Sequence, residues 1–215
     1  MSRQGVKPAA QDRAKKTRDK LLAAFESLLR EKSFEAMSVA EIAARAGLSV
    51  GAVYRRFENK DAFIPAIFDL YRARVERLAA SPEGQFQPDP EAGLRVALRG
   101  MTAMAWTFLK REGHLVRAAH LYARLRPDLV GDEWDAMIEA GVASYRQLVD
   151  FFAGEIARPD PDEAARVLFY LLNTSMIEYG LYRDDGPGAA LTISDTGFTD
   201  AMADAMYGYL TAPDL

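Results

Sequence analysis

The apolar residues of this chain recur at the helix period almost from end to end. Leu21, Leu22, Phe25, Leu28 and Leu29 make one stripe. Leu94, Ala97, Leu98, Met101, Met104, Ala105 and Phe108 make a second, and Phe198, Ala201, Met202, Ala205, Met206 and Tyr209 a third. Spacings of three and four place such residues on one face of an α-helix, and each stripe needs a partner to bury it. No run alternates apolar and polar residues between hairpin turns, as a strand would. The expected class is all-α, with about nine helices, no sheet and no repeat of fixed period.

Capping and breaking residues set the expected boundaries. Residues 13–31 read as one helix. Ser38-Val39-Ala40-Glu41 is a capping box, in which Ser38 takes the amide of Glu41 and Glu41 reaches back. It opens a short helix to Arg45, which Gly47 ends by taking a positive φ. Ser49 caps a helix to about Phe57. Asn59 caps another to about Ala79, with Pro65 inside it at the expense of a hydrogen bond or a bend. Residues 81–90, SPEGQFQPDP, read as a linker. Beyond it, helices are expected over 94–108, over 114–126 up to Pro127, and over 132–156. Asp160 with Pro161 and Glu163 starts one running to about Tyr182. Gly186-Pro187-Gly188 lies in a loop over 184–195 before the last helix.

Charge divides the chain. Its 215 residues carry a net charge of −4. Residues 1–60 hold +6 and residues 61–215 hold −10. Arg13, Lys15, Lys16, Arg18 and Lys20 concentrate the positive charge. Such an end is suited to phosphates, although a solvated arm has the same composition. There is no cysteine, which excludes disulfides, cysteine–zinc sites, iron–sulfur clusters and thiol nucleophiles. The longest apolar run, Val167 to Leu172, is far too short to span a membrane. The N-terminus has no hydrophobic segment of the secretory kind. A soluble cytoplasmic protein is expected.

The segment Ser38 to Lys60, SVAEIAARAGLSVGAVYRRFENK, holds two short helices joined by a glycine-containing turn. That is the helix-turn-helix layout. Val39, Ile42, Ala43, Leu48, Val53 and Phe57 are spaced to pack the pair on the preceding helix. The remaining face of the second helix fits a DNA major groove, about 12 Å wide.

The run IAARAGLSVGAVYRRFENKDAF resembles the DNA-binding signature of the TetR family of one-component transcriptional regulators. The matching residues are Ile42, Ala43, Ala46, Gly47, Leu48, Ser49, Gly51, Tyr54, Phe57, Lys60 and Asp61. The resemblance is strong over 14–65 and only architectural beyond. It implies that Tyr54 and Lys60 contact phosphate, that Ser38 and Ser49 do so through backbone amides, and that Thr17 and Arg18 touch the DNA backbone. It implies that Val50, Gly51, Ala52 and Arg55 face the bases, with Arg56 at their edge. Many members carry Lys or Arg in place of Val50 and Thr in place of Ala52. Val50 and Ala52 cannot donate to a base, which leaves Arg55 and Arg56 for polar readout.

The same resemblance implies a homodimer on an inverted-repeat operator, released by a small effector. Expected dimer residues are Leu172, Met176, Tyr179, Gly180, Phe198, Met202, Ala205, Met206 and Tyr209. Expected pocket residues are Met101, Met104, Phe108, Tyr122, Trp134, Tyr145, Phe151, Tyr170, Asn173 and Met176, which suit an apolar or aromatic effector. Arg99, His114, Arg117, His120, Asn173 and Glu178 are polar candidates for orienting it. The expected domains are a flexible basic arm over 1–12, a DNA-binding head over 13–60, a connecting helix over 61–80 and an effector-binding and dimerisation body over 81–215. No cofactor or metal is expected: His114 and His120 are six apart and do not share a helix face. No phosphate loop or nucleophile elbow is present, so an enzyme is not expected. Two alternatives remain beside a repressor: a ligand-responsive activator, and an interaction module whose helix-turn-helix is only structural.

Overall fold

The computed structural model describes residues 8–85, 88–89, 91–184 and 186–213, with side chains from residue 12 onward. Among them are nine α-helices and no strand. They are α1 (Pro8–Leu29), α2 (Val39–Arg45), α3 (Val50–Tyr54), α4 (Ile64–Ala80), α5 (Gly93–Leu125), α6 (Pro127–Val130), α7 (Glu133–Phe151), α8 (Pro161–Leu181) and α9 (Asp195–Thr211). None is long and apolar enough to cross a membrane.

The number of helices agrees with expectation, but the partition differs. The stretches expected as 94–108 and 114–126 form one 33-residue helix, α5. The buried phase continues between them through Leu109, Glu112, Leu115, Val116 and Ala119. The short α6 was not foreseen. Pro65 does not bend a helix, because it lies in the first turn of α4, where its missing N–H has no intrahelical partner to lose. Residues 8–12 extend α1 instead of forming an arm. Residues 1–7 of that expected arm lie outside the described residues.

Caps behave as the residue types dictate. Ser38 accepts from the Glu41 amide at 3.2 Å, and Glu41 accepts from the Ser38 amide at 2.8 Å. The Ser49 side chain accepts from Ala52 N. The Asp160 side chain accepts from the amides of Asp162 and Glu163, with Pro161 in the first turn. Gly47 has φ 67°, the left-handed conformation that lets α2 stop within one residue.

α5 organises the molecule, packing on α4, α8 and α9. One core joins Leu21, Phe25, Phe34, Ile42, Val53, Phe63 and Ile67 to Leu115, Ala119 and Tyr122 of α5. The other joins Leu94, Leu98 and Leu109 of α5 to Leu168, Leu172 and Tyr179 of α8 and Phe198, Met206 and Leu210 of α9. The boundary expected at residue 60 is therefore not a boundary of packing. The head core runs into the C-terminal half of α5.

Candidate nucleic-acid interface

Three aromatic contacts fix the head. Phe57 stacks on Phe63 at 3.9 Å, Phe25 tilts against Phe63 at 5.1 Å, and Phe25 meets Phe34 edge-on at 5.6 Å. They clamp the segment that follows α3 to α1 and to the turn that leads into α4. Arg45, at the end of α2, donates twice to Glu31, both at 2.8 Å, and once to Ser27 at 2.7 Å. Hydrogen bonds from Lys32 and from the Ser38 amide hold the Glu41 carboxyl down at about 2, so it stays ionised as a cap at neutral pH.

With the back of α3 anchored, its front stands clear. Val50, Gly51, Tyr54 and Arg55 are exposed, with Tyr54 at 53%. Ala52 is not on that face. It is only 6% exposed and sits in the head interior, so the expected base contact is corrected. Ala52 is two residues from both Val50 and Tyr54, about 200° around the helix, which turns its Cβ to the opposite side from theirs. The remaining expected residues are partly committed to the fold. Arg56 Nε donates to the Ala14 carbonyl at 3.4 Å, tying the end of α3 to α1. Lys60 Nζ donates to the Glu35 carbonyl at 3.0 Å and lies 4.7 Å above the Phe34 ring. Thr17 Oγ1 donates to the Arg13 carbonyl of its own helix at 2.8 Å. Arg18 is exposed.

The ten residues expected to line an effector pocket do not surround one space. Tyr122 lies in the head core, and its hydroxyl donates to Glu35. Met176 is buried between helices of the second core. Tyr170, 66% exposed, and Phe151 are on the surface. Asn173 donates to the Phe169 carbonyl of its own helix at 2.8 Å, and the Tyr145 ring meets Phe169 edge-on. Phe108 and Trp134 do converge. With Tyr71 and His120 they form an aromatic group between α4, α5 and α7, the centroids of His120 and Trp134 being 4.8 Å apart. Burial pushes the Tyr71 hydroxyl up to about 12 and holds the His120 imidazole down at about 4. A separate cavity of about 280 Å³ opens between the end of α1 and α5, lined by Arg30, Lys32, Phe34, His114, Arg117 and Tyr122 among others.

The expected dimer residues also divide. Leu172, Met176, Tyr179, Phe198 and Met206 are buried within this chain. Tyr179 stacks on Phe198 at 4.0 Å and donates to the Ile193 carbonyl at 2.8 Å. Gly180 is where α8 crosses α5: a Cβ there would stand 2.3 Å from Leu109 Cδ2. These six serve the protomer's own interior, which is a correction to their expected role. The outer surface of α8 and α9 instead carries Tyr170, Thr174, Ala201, Ala205 and Gly208, with Met202 and Tyr209 half-buried beside it.

Charged residues at the phase of apolar stripes were passed over in the sequence. Glu26 is buried on α1, Arg74 is three residues after Tyr71 on α4, and Glu112 is three residues after Leu109 on α5. Arg74 donates to Glu26 at 2.7 Å and to Glu112 at 3.2 Å, joining three helices. A charge in a buried phase was the available signal.

Comparison with known proteins agrees with this geometry. A family model described as bacterial regulatory proteins, tetR family, matches residues 21–67. The HTH-type transcriptional regulator TtgR of Pseudomonas putida is 29% identical over 87 residues, which span 40% of this chain and 41% of that protein. PfmR from Thermus thermophilus superposes with a TM-score of 0.61 at 21% identity, covering 87% of this chain and 96% of that one. NalD of Pseudomonas aeruginosa, a secondary repressor of the MexAB-OprM multidrug efflux pump, superposes with a TM-score of 0.56 at 20% identity over 93% and 98%. Salmonella enterica GusR gives 0.61 at 20% identity over 96% and 98%. The motif residues of the head, its geometry and the all-helical fold converge: residues 21–67 are a DNA-binding head of the tetR type, and the chain as a whole shares the fold of solved structures of that family.

Proposed function

We propose that this protein is a homodimeric transcriptional repressor that leaves a palindromic operator when a small molecule binds its body. The observation that carries the reading is the free face of α3. Val50, Gly51, Tyr54 and Arg55 project from a helix whose other side is locked by Val53 and Ala52. In this reading Arg55 reads a base edge, Val50 packs on a thymine methyl, and Tyr54 and Arg18 contact phosphates. Arg56 and Lys60 hold the head and meet the DNA backbone with their remaining donors, and Thr17 reaches it by turning its hydroxyl away from the Arg13 carbonyl. Ser38 and Ser49 stay helix caps.

A two-fold dimer spaces two such helices about one DNA turn apart, roughly 34–36 Å. The surface of Tyr170, Thr174, Ala201, Ala205 and Gly208 suits a second copy, because small residues let helices approach closely. Its functional divisions are a head over 13–60, a connector over 61–80 and a body over 81–215. The effector, apolar or aromatic, rests against Tyr71, Phe108, His120 and Trp134, next to the connecting helix. It acts only through unequal affinity for the two head positions. The protein works in the cytoplasm, where the operator is.

Selection of the purified protein against random duplex DNA, followed by affinity measurement at several salt concentrations, tests the reading. An inverted repeat bound with a steep salt slope, and weakened by Arg55→Ala, is the expected result. Recovery of no motif, with wild-type and Arg55→Ala proteins binding DNA alike, would overturn it.

A further inference from the structure

The ionic cluster between head and body carries a ligand chemistry of its own. Glu26 of α1 and Glu112 and His114 of α5 each present a donor atom, and the three atoms lie within 4.8 Å of one another. The His114 side chain is only 9% exposed, and its Nε2, 3.6 Å from Glu26 Oε1, is buried without a hydrogen-bond partner. A buried polar nitrogen left unpaired is costly, and neighbouring donors usually relieve it. Here what faces it is a carboxylate pair already holding a cation. Arg74 reaches in from α4 to both Glu26 and Glu112.

We propose that Glu26, Glu112 and His114 form a divalent transition-metal site for which the Arg74 guanidinium is the competing cation. Two carboxylate oxygens and one imidazole nitrogen match the ligand preference of zinc and its neighbours, with water completing the coordination. Bond lengths of about 2.0–2.2 Å require the donors to draw together by about 1 Å, within reach of side-chain torsions. The other cations nearby yield readily. Arg30, on Glu26, and Arg111, on Glu112, have side chains 50% and 54% exposed and can turn to solvent. Arg74 itself is a long side chain at the edge of the cluster.

Exchange of metal for Arg74 has a mechanical result. Arg74 is the link between α4 and both α1 and α5. When a metal takes its two carboxylates, α1 and α5 become tied directly and α4 loses this ionic link to both, keeping its apolar packing on α5. On the DNA-binding reading above, metal then alters the head position, but the site itself does not depend on that reading.

The test is titration of the chelator-treated full-length protein with Co²⁺, followed by its visible absorption bands, with Zn²⁺ competition by calorimetry. One metal per chain is expected. His114→Gln should weaken binding by at least about tenfold, and Arg74→Gln should tighten it by a similar factor. His114 makes no hydrogen bond through Nε2, so its replacement leaves the fold intact; circular dichroism and thermal unfolding verify this. Absence of one-to-one binding in both wild type and Arg74→Gln at about millimolar metal would overturn the site. So would binding that His114→Gln leaves unchanged. Operator affinity with and without Co²⁺ is a separate arm: a change supports a shift of α4 on loss of its ionic link, and no change refutes that shift while the spectra still decide the site.

Discussion

The head and the body are built from the same material, yet they are specified differently. In the head, each short helix carries its own instructions: Ser38 and Glu41 start α2, Gly47 stops it, and Ser49 starts α3. In the body, long helices are placed by each other. Phe198 is buried because Tyr179 and Trp106 cover it, and α8 meets α5 closely because Gly180 lies opposite Leu109. Local capping can be read from neighbouring letters, whereas a crossing point depends on residues far apart in the chain. The difference teaches that in this chain the head is declared by local letters and the body is arranged by packing.

The largest expected effect tests whether the two regions are separable at all. Phe25→Ala in the head and Phe198→Ala in the body should each cost about 3–5 kcal/mol, measured by urea unfolding. Because the head core includes Leu115, Ala119 and Tyr122 of α5, both variants should unfold in one transition. A head that melts alone in Phe25→Ala would break the picture of a shared core.

Readout should separate from stability on the two sides of α3. Arg55→Ala is expected to lose about 1–3 kcal/mol of operator affinity with an unchanged melting temperature. Ala52→Leu is expected to lower the melting temperature by overpacking, because Ala52 is buried. Equal melting temperatures for wild type and Ala52→Leu would return residue 52 to the DNA face.

Acid should reach the body before the head. The folded-state imidazole of His120 is held at about 4 against an ordinary 6.5, so the unfolded chain binds more protons in that interval. Stability from this group is complete above pH 6.5 and falls as the pH drops toward 4, by on the order of 2 kcal/mol. Glu41 has its carboxyl at about 2 against 4.5, so its contribution persists above pH 4.5 and disappears only as the pH falls toward 2. Melting curves from pH 7.5 to 4.5 should therefore show a loss that His120→Gln reduces and Glu41→Gln leaves in place, the remainder coming in part from His114, whose imidazole burial also holds below its ordinary value. The smallest effect is that of one cap: Ser38→Ala should cost about 1 kcal/mol, read as a small drop in melting temperature.

Much of the interface could be read from the letters. Helix class, the capping box, the turn at Gly47 and the exposed Tyr54 and Arg55 follow from short-range rules. Ala52 shows where those rules stop: the family resemblance placed it with the bases, and the rotation of a five-residue helix placed it in the core. Lys60, expected on a phosphate, donates to the Glu35 carbonyl and lies over the Phe34 ring. Tyr122, Met176 and Tyr170 share a chemistry suited to a pocket, yet one lies in the head core, one in the body core and one on the surface.

By itself, the sequence determined the class of the fold, the position of the helix-turn-helix and its caps and turn, because period, caps and turn residues act over a few positions. Only the tertiary structure decided that α5 is continuous, that Leu172, Tyr179 and Phe198 serve the protomer's interior, and that Glu26, Arg74, Glu112 and His114 meet. The physical reason is that burial and ion pairing depend on which distant segments come together, and amphipathic stripes of similar composition do not name their partners.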